Sequence, residues 1–469
     1  LTWWNDGDYN AKRFKAKGQS SLLESRIVMI EDIGRGRGVY ISTYGCQMNE
    51  NDTERMLSLL EMVNFVPVES PEKATLIIIN SCSVREKPVH KVWSEVGKYK
   101  EMKAKNPDLK IGVGGCVAQQ EKQKLLKDIP VLDFAFGTDA IDQLPEIVMR
   151  AYQTGEKQLS ARFENDRPYS VETMIRNPGV STFVNIMKGC DNFCTFCVVP
   201  FTRGRERSRD LKELLSDIQK LVARGVKEVT LLGQNVNSYK SSCGADFGQL
   251  LRVLAEDTDI QRIRYTTSHP KDFNQELVDI SAKYRSKICD YIHLPAQSGN
   301  SEVLKRMNRG YTRDEYLDKV RMIRAGIPGV VLSTDLIVGF PGETESQFMD
   351  TFSLIEGVRY ENIYAFRYSP RPFTKAARFE DQVPEDEKQR RLQMLLDRQR
   401  EISFELAKSS AGLLVDVLFE NKAELDGQMR GRTSQNKLVY APGPEILIGQ
   451  TAKVKVVTAF PSVLRGELH

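Results

Sequence analysis

Apolar and polar positions along the chain fall into three regimes. Between about residues 180 and 370, the short apolar runs "TFVNIMKGC", "EVTLLGQN", "RIRYTTSHP", "YIHLPAQSG", "GVVLSTDLIVGFPG" and "NIYAFRYSPRP" predict strands. Stretches between them, such as "DLKELLSDIQKLVARG" and "TESQFMDTFSLIEG", repeat apolar residues every three or four positions and predict amphipathic helices. Six such βα units joined by right-handed crossovers predict a parallel sheet curling into an open (β/α)6 partial TIM barrel. Functional groups then gather at the C-terminal ends of its strands. Upstream, "GVYISTYGCQMN", "ATLIIINSCSVRE" and "KIGVGGCVAQQ" each read as a strand, a cysteine and then a helical pattern. One of these helices is "NDTERMLSLLEM", with Asn51 or Asp52 as its N-cap. With "VLDFAFG" and "DAIDQLPEIVMRAY" they predict a Rossmann-like α/β domain. Downstream, "EDEKQRRLQMLLDRQREISFELAKSSAG" predicts a long charged helix. "LLVDVLFENKAE", "QMRGRTSQNKLVYAP" and "QTAKVKVVTAF" predict the strands of a small β-barrel. The expected division is a polar leader over 1–36, an N-terminal domain over 37–153, a core over 176–406 and the small barrel over 409–469.

Composition narrows this picture. A length of 469 residues suits two or three domains, and 41% hydrophobic with 28% charged residues suits a soluble globular protein. The net charge of +4 excludes a general polycation, so a nucleic-acid site has to be a local patch. No apolar run approaches the roughly 20 residues of a membrane span. The first residues, "LTWWNDGDYNAKRFKAKGQS", lack the apolar core of a secretion signal, and Leu1 is not expected of a natural start. Eight cysteines in such a chain argue for reduced thiols, metal sites or catalysis rather than a disulfide framework. The expectation is a cytoplasmic, multidomain protein with no membrane segment, acting as a monomer.

"GCDNFCTFC" sets Cys190, Cys194 and Cys197 directly after the first barrel strand. Three thiolates are one short of a closed four-ligand shell. Zinc completed by a histidine is one reading. Only His90, His269, His293 and His469 exist, however, and none is near in sequence. Ligation of an iron–sulfur cluster with one open iron is the stronger reading. At other strand ends, Gln234 and Asn235, Gln297 and Ser298, and Asp335 and Gly339 are candidate cofactor contacts; ordinary turn residues are the alternative. "RGRERSR", Arg203 to Arg209, either neutralises an anionic group near the cysteines or is a solvated basic loop. Upstream, Cys46, Cys82 and Cys116 share the context of strand then helix, which brings them together although 36 and 34 positions separate them. Free buried cysteines are the alternative there, and the expected reading for the isolated Cys243 and Cys289.

The C-x3-C-x2-C spacing, with Phe196 before its third cysteine, resembles that of the radical S-adenosylmethionine (SAM) enzymes. Together with "YGCQMN", "NSCSVREK", "GGC", "GCDNFCTFCVVPFTRGRERSR" and "FRYSPRPFTKAA", it resembles their methylthiotransferase family over nearly the whole chain after about residue 37. The resemblance implies two 4Fe–4S clusters, each with an open iron. Cys190, Cys194 and Cys197 would hold the cluster that binds SAM and cleaves it reductively to a 5′-deoxyadenosyl radical. Cys46, Cys82 and Cys116 would hold an auxiliary cluster carrying the sulfur to be transferred. It also implies that one SAM methylates that sulfur while a second yields the radical. The electron would come from a donor such as a flavodoxin or ferredoxin.

The last 60 or so residues resemble the TRAM domain, a small RNA-binding module. Arg430, Arg432, Lys437, Lys453 and Lys455 are its candidate phosphate contacts and Tyr440 a candidate stacking residue, a solvated edge being the alternative. "GCQMN", "SCSVREK" and "GRTSQNKLV" resemble the branch converting N6-isopentenyladenosine-37 of tRNA to its 2-methylthio form. The partner would be the anticodon loop, whose single strand lets a base unstack cheaply. Two positions depart from the family: Ser81 stands where threonine is usual and keeps the hydroxyl, and Phe373 stands where glycine is usual, a change expected to narrow or reshape the substrate mouth. Methylthiolation of threonylcarbamoyladenosine or of a protein aspartate is the runner-up. An iron–sulfur RNA carrier without turnover is the reading from another class.

Overall fold

The computed structural model describes residues 32–83, 86–163, 169, 173–424 and 427–469; the expected leader, as far as residue 31, lies outside them. The N-terminal domain is a parallel sheet of β1 (Gly38–Tyr44), β2 (Val66–Pro67), β3 (Leu76–Ser81), β4 (Lys110–Gly115), β5 (Phe134–Phe136) and β6 (Gln158–Ser160), in the order β2-β1-β3-β4-β5-β6. Among its helices are α1 (Gln47–Glu61), α2 (Glu86–Lys105), α3 (Cys116–Glu121) and α4 (Leu144–Thr154). A parallel sheet is covered on both faces, and "LIII" in β3 shows how. Leu76 and Ile78 pack with α1 and α4, whereas Ile77 and Ile79 pack with α2 and α3.

One expectation of the local pattern fails here. Helix α1 begins at Gln47, with Cys46 at the N-cap, so Asn51 and Asp52 are interior helical residues rather than caps. Their side chains serve tertiary contacts instead: Asn51 donates to the Phe183 carbonyl and Asp52 accepts from Arg203.

The core follows as β7 (Ser181–Asn185), β8 (Met187–Lys188), α5 (Val199–Thr202), β9 (Arg207–Ser208), α6 (Leu211–Ala223), β10 (Glu228–Leu232), α7 (Phe247–Asp257), β11 (Arg262–Tyr265), α8 (Gln275–Lys283), β12 (Tyr291–His293), α9 (Arg313–Gly326), β13 (Val331–Val338), α10 (Glu345–Val358) and β14 (Asn362–Arg367). Parallel ladders run β7-β10-β11 and β12-β13-β14, and a bridge between Ile263 and Ile288 joins the two halves. The six long strands therefore stand in chain order as an open barrel, with β7 and β14 as its free edges. Valine, isoleucine and leucine from these strands and from the helices outside them share one large apolar core.

The first predicted strand is split. The chain leaves β7 at Asn185, and Met187–Lys188 pairs antiparallel with Arg207–Ser208. Gly189 permits this: its φ is +77°, and a Cβ there would meet the Arg205 carbonyl at 2.0 Å. That small ladder clamps the base of the loop carrying the three cysteines.

Helix α11 (Glu385–Lys408) packs on β14 and leads to a closed barrel of β15 (Leu414–Lys422), β16 (Gln428–Thr433), β17 (Leu438–Pro442), β18 (Thr451–Ala459) and β19 (Val463–Leu468). It docks against the N-terminal ends of the core strands, opposite the cysteines. Arg262, first in β11, donates to the carbonyls of Arg432 (2.6 Å) and Asp416 (3.3 Å). Arg264 donates to those of Ser434 and Thr433, while Glu228 holds it by two bonds of 3.1 Å.

Candidate active site

Three neighbouring strands of the first sheet end in the first cysteine set. Cys46 follows β1, Cys82 follows β3 and Cys116 opens α3 after β4. Convergence of residues 70 positions apart is thus a product of strand order. Gly45, at φ +150°, allows the turn to pass where a Cβ would stand 2.5 Å from that of Cys82. An amide pair locks the turns together. Asn49 Nδ2 donates to Asn80 Oδ1 (3.1 Å), and Asn80 Nδ2 donates to the Asn49 carbonyl (2.8 Å). Hydrogen bonding with Cys82 holds the thiols of Cys46 and Cys116 down, at about 6 and about 7, and the Arg203 guanidinium adds to this against burial. Cys82, between the two, is pushed up by those same bonds and by burial.

The second set sits on the clamped loop after β7. Burial pushes Cys190 up to about 11 and Cys197 up to about 12, the neighbouring Cys194 adding to both. Arg309 is buried beside them, a residue that nothing in the local pattern singles out. Its Nη1 donates to Cys194 Sγ (3.3 Å), Nη2 to the Pro295 carbonyl (3.1 Å) and Nε to the Tyr311 hydroxyl (3.0 Å). Among the described residues no three His, Cys, Asp or Glu side chains converge on one point as the ligands of a single ion do. Three thiols carried by one loop, with no histidine beside them in sequence, have the donor chemistry of an iron–sulfur cluster.

The two sets belong to different domains, and the segment leaving Cys197 ties them together. Helix α5 packs on α3, the helix that Cys116 opens. The Thr202 carbonyl accepts from Thr138 Oγ1 (2.8 Å). Arg203, next in line, reaches Asp52 of α1 (2.8 Å), both side chains being almost fully buried. Lys188 and Arg207 grip Asp139 from the same loop. In "RGRERSR", Arg203, Arg207 and Arg209 are drawn inward onto Asp52, Asp139 and Asp217, whereas Arg205 stays exposed and pairs with Asp191 at the surface.

At the strand ends, several buried polar atoms lack a hydrogen-bond partner among the described residues: Asn185 Oδ1 after β7, Gln234 Oε1 after β10, and Ser268 Oγ and His269 Nε2 after β11. Burial pushes His269 down to about 2, with Arg309 and Lys271 adding to it, so this ring is neutral. A row of orphaned buried groups beside the loop fits a polar cofactor. Other candidate residues are placed as follows. Gln234 Nε2 donates to Met48 Sδ across the domain boundary. Asn235 binds Asp272 (2.7 Å) and the His269 amide (3.1 Å), which shapes the turn. Gln297, at φ +71°, is inserted beside Leu336, and Ser298 is buried against Thr351. Asp335 is a third exposed and faces His293 Nε2 at 3.5 Å on the inner face of the sheet. Phe196 packs against a small apolar cluster that includes Phe340, Tyr368 and Ala376. The missing side chain of Gly339 makes room for Lys388 of α11, and its amide is held by Glu343.

On the small barrel, Lys437 bridges to Glu361 of the core (3.2 Å), so its ammonium faces the interdomain contact. Lys453 pairs with Asp416 at the surface and Lys455 is exposed. Arg430 and Arg432 are half-buried, with Arg432 near Glu420 (3.7 Å) and Tyr440 beside them on β17. Cys289 is buried and Cys243 exposed, each apart from both thiol sets.

Three thiols on the loop after the first strand of an open βα barrel, with unpaired polar groups at the strand ends, are the arrangement expected of a radical SAM enzyme, and similarity to known proteins shows that class. Residues 184–355 match the Radical SAM superfamily, residues 38–137 match the uncharacterized protein family UPF0004, and residues 409–469 match the TRAM domain. The chain belongs to the family of the tRNA-2-methylthio-N(6)-dimethylallyladenosine synthases. It is 62% identical to the one from Bdellovibrio bacteriovorus over 93% of this chain and 96% of the relative. It is 43% identical to that of Geobacillus thermodenitrificans over 98% of this chain and 89% of the relative. Among solved structures it is similar in fold to the radical SAM methyltransferase TsrM from Kitasatospora setae, with a TM-score of 0.54 at 15% identity over 84% of this chain and 80% of that one.

Proposed function

We infer that this chain is the tRNA methylthiotransferase that converts N6-isopentenyladenosine at position 37 to its 2-methylthio form. The reading is carried by two open three-thiol sets on two domains locked face to face through α5 and Arg203. Forming a C–S bond at an unactivated C–H needs a hydrogen abstractor and a sulfur donor at one pocket. Cys190, Cys194 and Cys197 would hold the SAM-binding 4Fe–4S cluster, and Cys46, Cys82 and Cys116 the auxiliary one. Bound there, SAM and the clusters supply the radical and the sulfur.

The chain's own residues do the rest. Arg309 and Arg203 offset thiolate charge, and Asn185, Gln234 and Ser268 offer unpaired polar atoms to the cofactor. The clamped loop and the interdomain ion pairs hold the two sites in one relation. Arg430, Arg432, Lys453 and Lys455 of the small barrel supply charge for the RNA backbone. Among the described residues no helix is long and apolar enough to cross a membrane. A cytoplasmic monomer reduced by a flavodoxin- or ferredoxin-type donor suits a tRNA substrate and a one-electron step.

The test is anaerobic loading with iron and sulfide, then incubation with reductant, SAM and isopentenylated tRNA. Mass spectrometry of the nucleosides should show one added methylthio group on the target adenosine, absent in Cys190→Ala and in Cys46→Ala. Release of 5′-deoxyadenosine with that nucleoside unchanged would sink the substrate assignment and keep the radical chemistry.

A further inference from the structure

We propose that Phe201 and Phe373 form a stacking step for a base adjacent to the target adenosine at the lip of the active site. This rests on the RNA-substrate reading above. The rings lie 5.8 Å apart, tilted by 38°, and are 41% and 57% exposed. They come from the two free edges of the open barrel. Phe201 lies in α5, four residues after the ligand Cys197 and on the helix packed against α3 of the other domain. Phe373 lies in the segment after β14, which closes onto the cysteine loop where the Ala376 amide donates to the Thr195 carbonyl (2.8 Å). The pair therefore stands at the cysteine end of the barrel, beside the helix linking both thiol sets. A base adjacent to one presented to both sets would come to rest there.

Two features of the protein by itself are unfavourable. Phe373 holds φ +69° in a turn that Thr374 closes by bonding the Arg371 carbonyl (2.7 Å), a conformation costly for a bulky side chain. Both rings also leave apolar area in water, where large exposed apolar groups mark contact sites. A nucleobase offers the matching chemistry, a flat π-face whose stacking on an aromatic ring tolerates any sequence. At a spacing of 5.8 Å the two rings touch each other and leave no slot between them, so the base lies on their outer face. The occupant is accordingly a neighbour left at the lip rather than the target that enters.

The experiment uses cluster-loaded full-length enzyme and synthetic isopentenylated anticodon stem–loop RNAs, intact or abasic at either neighbour of the target. Phe373→Gly removes the ring and suits the left-handed backbone, so misfolding does not confound it; Phe201→Ala is the second variant and Phe373→Tyr the ring-retaining control. Each ring-deleting variant should weaken binding of intact RNA by roughly 5- to 100-fold, with Phe373→Tyr near wild type. The loss should vanish on one of the two abasic RNAs. Unchanged affinity in both variants overturns the proposal. So does a loss equal on every RNA, and so does a loss seen only when the isopentenyl group is present, which would assign the rings to the tail. Wild-type methylthiolation of the same RNA is measured alongside: its absence would count against the substrate reading, whereas its presence with unaffected variants counts against the stacking step alone.

Discussion

At the scale of single residues, the least expected finding is the pairing of each thiol set with a buried arginine from outside its own cysteine context. Arg309 touches Cys194 and satisfies a carbonyl and a hydroxyl at the same time. Replacing it by glutamine removes the charge and strands those partners. Groups that orient metal ligands typically matter by about 10- to 100-fold in retention or activity. Arg309→Gln is expected to lose iron from the SAM-binding site and to release proportionally less 5′-deoxyadenosine, while the auxiliary site keeps its iron; an unchanged iron content at both sites would contradict this. The thiols also set a pH dependence. Cys190 and Cys197 are raised by burial to about 11 and about 12, so both are protonated at neutral pH in the metal-free chain. Ligation requires thiolate and releases those protons, so uptake at this site rises from neutral into alkaline pH. In the other set Cys46 and Cys116 are lowered to about 6 and about 7 and only Cys82 is pushed up, so uptake there releases fewer protons and depends less steeply on pH over that range. Anaerobic iron uptake by variants carrying only one intact cysteine set checks the difference.

At the scale of elements, α1 and α5 act as a joint between domains. Asp52 and Arg203 form an ion pair in which both partners are almost fully buried. Removing one partner of a buried pair leaves an uncompensated charge and costs about 3–5 kcal/mol. Asp52→Ala should therefore lower the thermal midpoint and detach Arg203 from the neighbourhood of Cys46 and Cys116. Its expected signature is loss of methylthio transfer with 5′-deoxyadenosine release retained, because the joint serves the auxiliary site while the other loop keeps its own clamp. The same joint explains why the expected caps of α1 are not caps. "ND" before a helical run is a sound local signal, but these side chains are captured by groups 132 and 151 residues away.

At the scale of the whole molecule, the small barrel and the cysteines lie at opposite ends of the core strands. On the proposed reading, RNA contacting the barrel's basic residues would have to run the length of the core to deliver a base at the other end. Arg262 and Arg264 bridge that junction through four backbone carbonyls. The double variant Arg262→Ala, Arg264→Ala should free the barrel, raise the radius of gyration in solution scattering and weaken tRNA binding. Release of 5′-deoxyadenosine should be unaffected; a compact particle with normal affinity would refute that role. Glu228 keeps the junction sensitive to Arg264 in particular, since losing the guanidinium leaves that carboxylate buried without its bidentate partner.

The sequence by itself determined the run of βα units and the closing barrel, and it marked six cysteines as candidate cluster ligands. The elements are written in period-two and period-3.6 apolar repeats and glycine-rich turns, and the set Cys190, Cys194 and Cys197 in spacings of three and two residues. It also revealed that Cys46, Cys82 and Cys116 share one context, although strand order was needed to bring them side by side. Only the tertiary structure decided which charges meet. Arg309 beside Cys194, Arg203 on Asp52, Lys437 on Glu361 and the contact of Phe201 with Phe373 link positions far apart in the chain. Such pairings follow from where crossovers return each strand and from the exclusion of water at those points, which leaves a buried charge no partner except a distant one. Local periodicity carries no record of either.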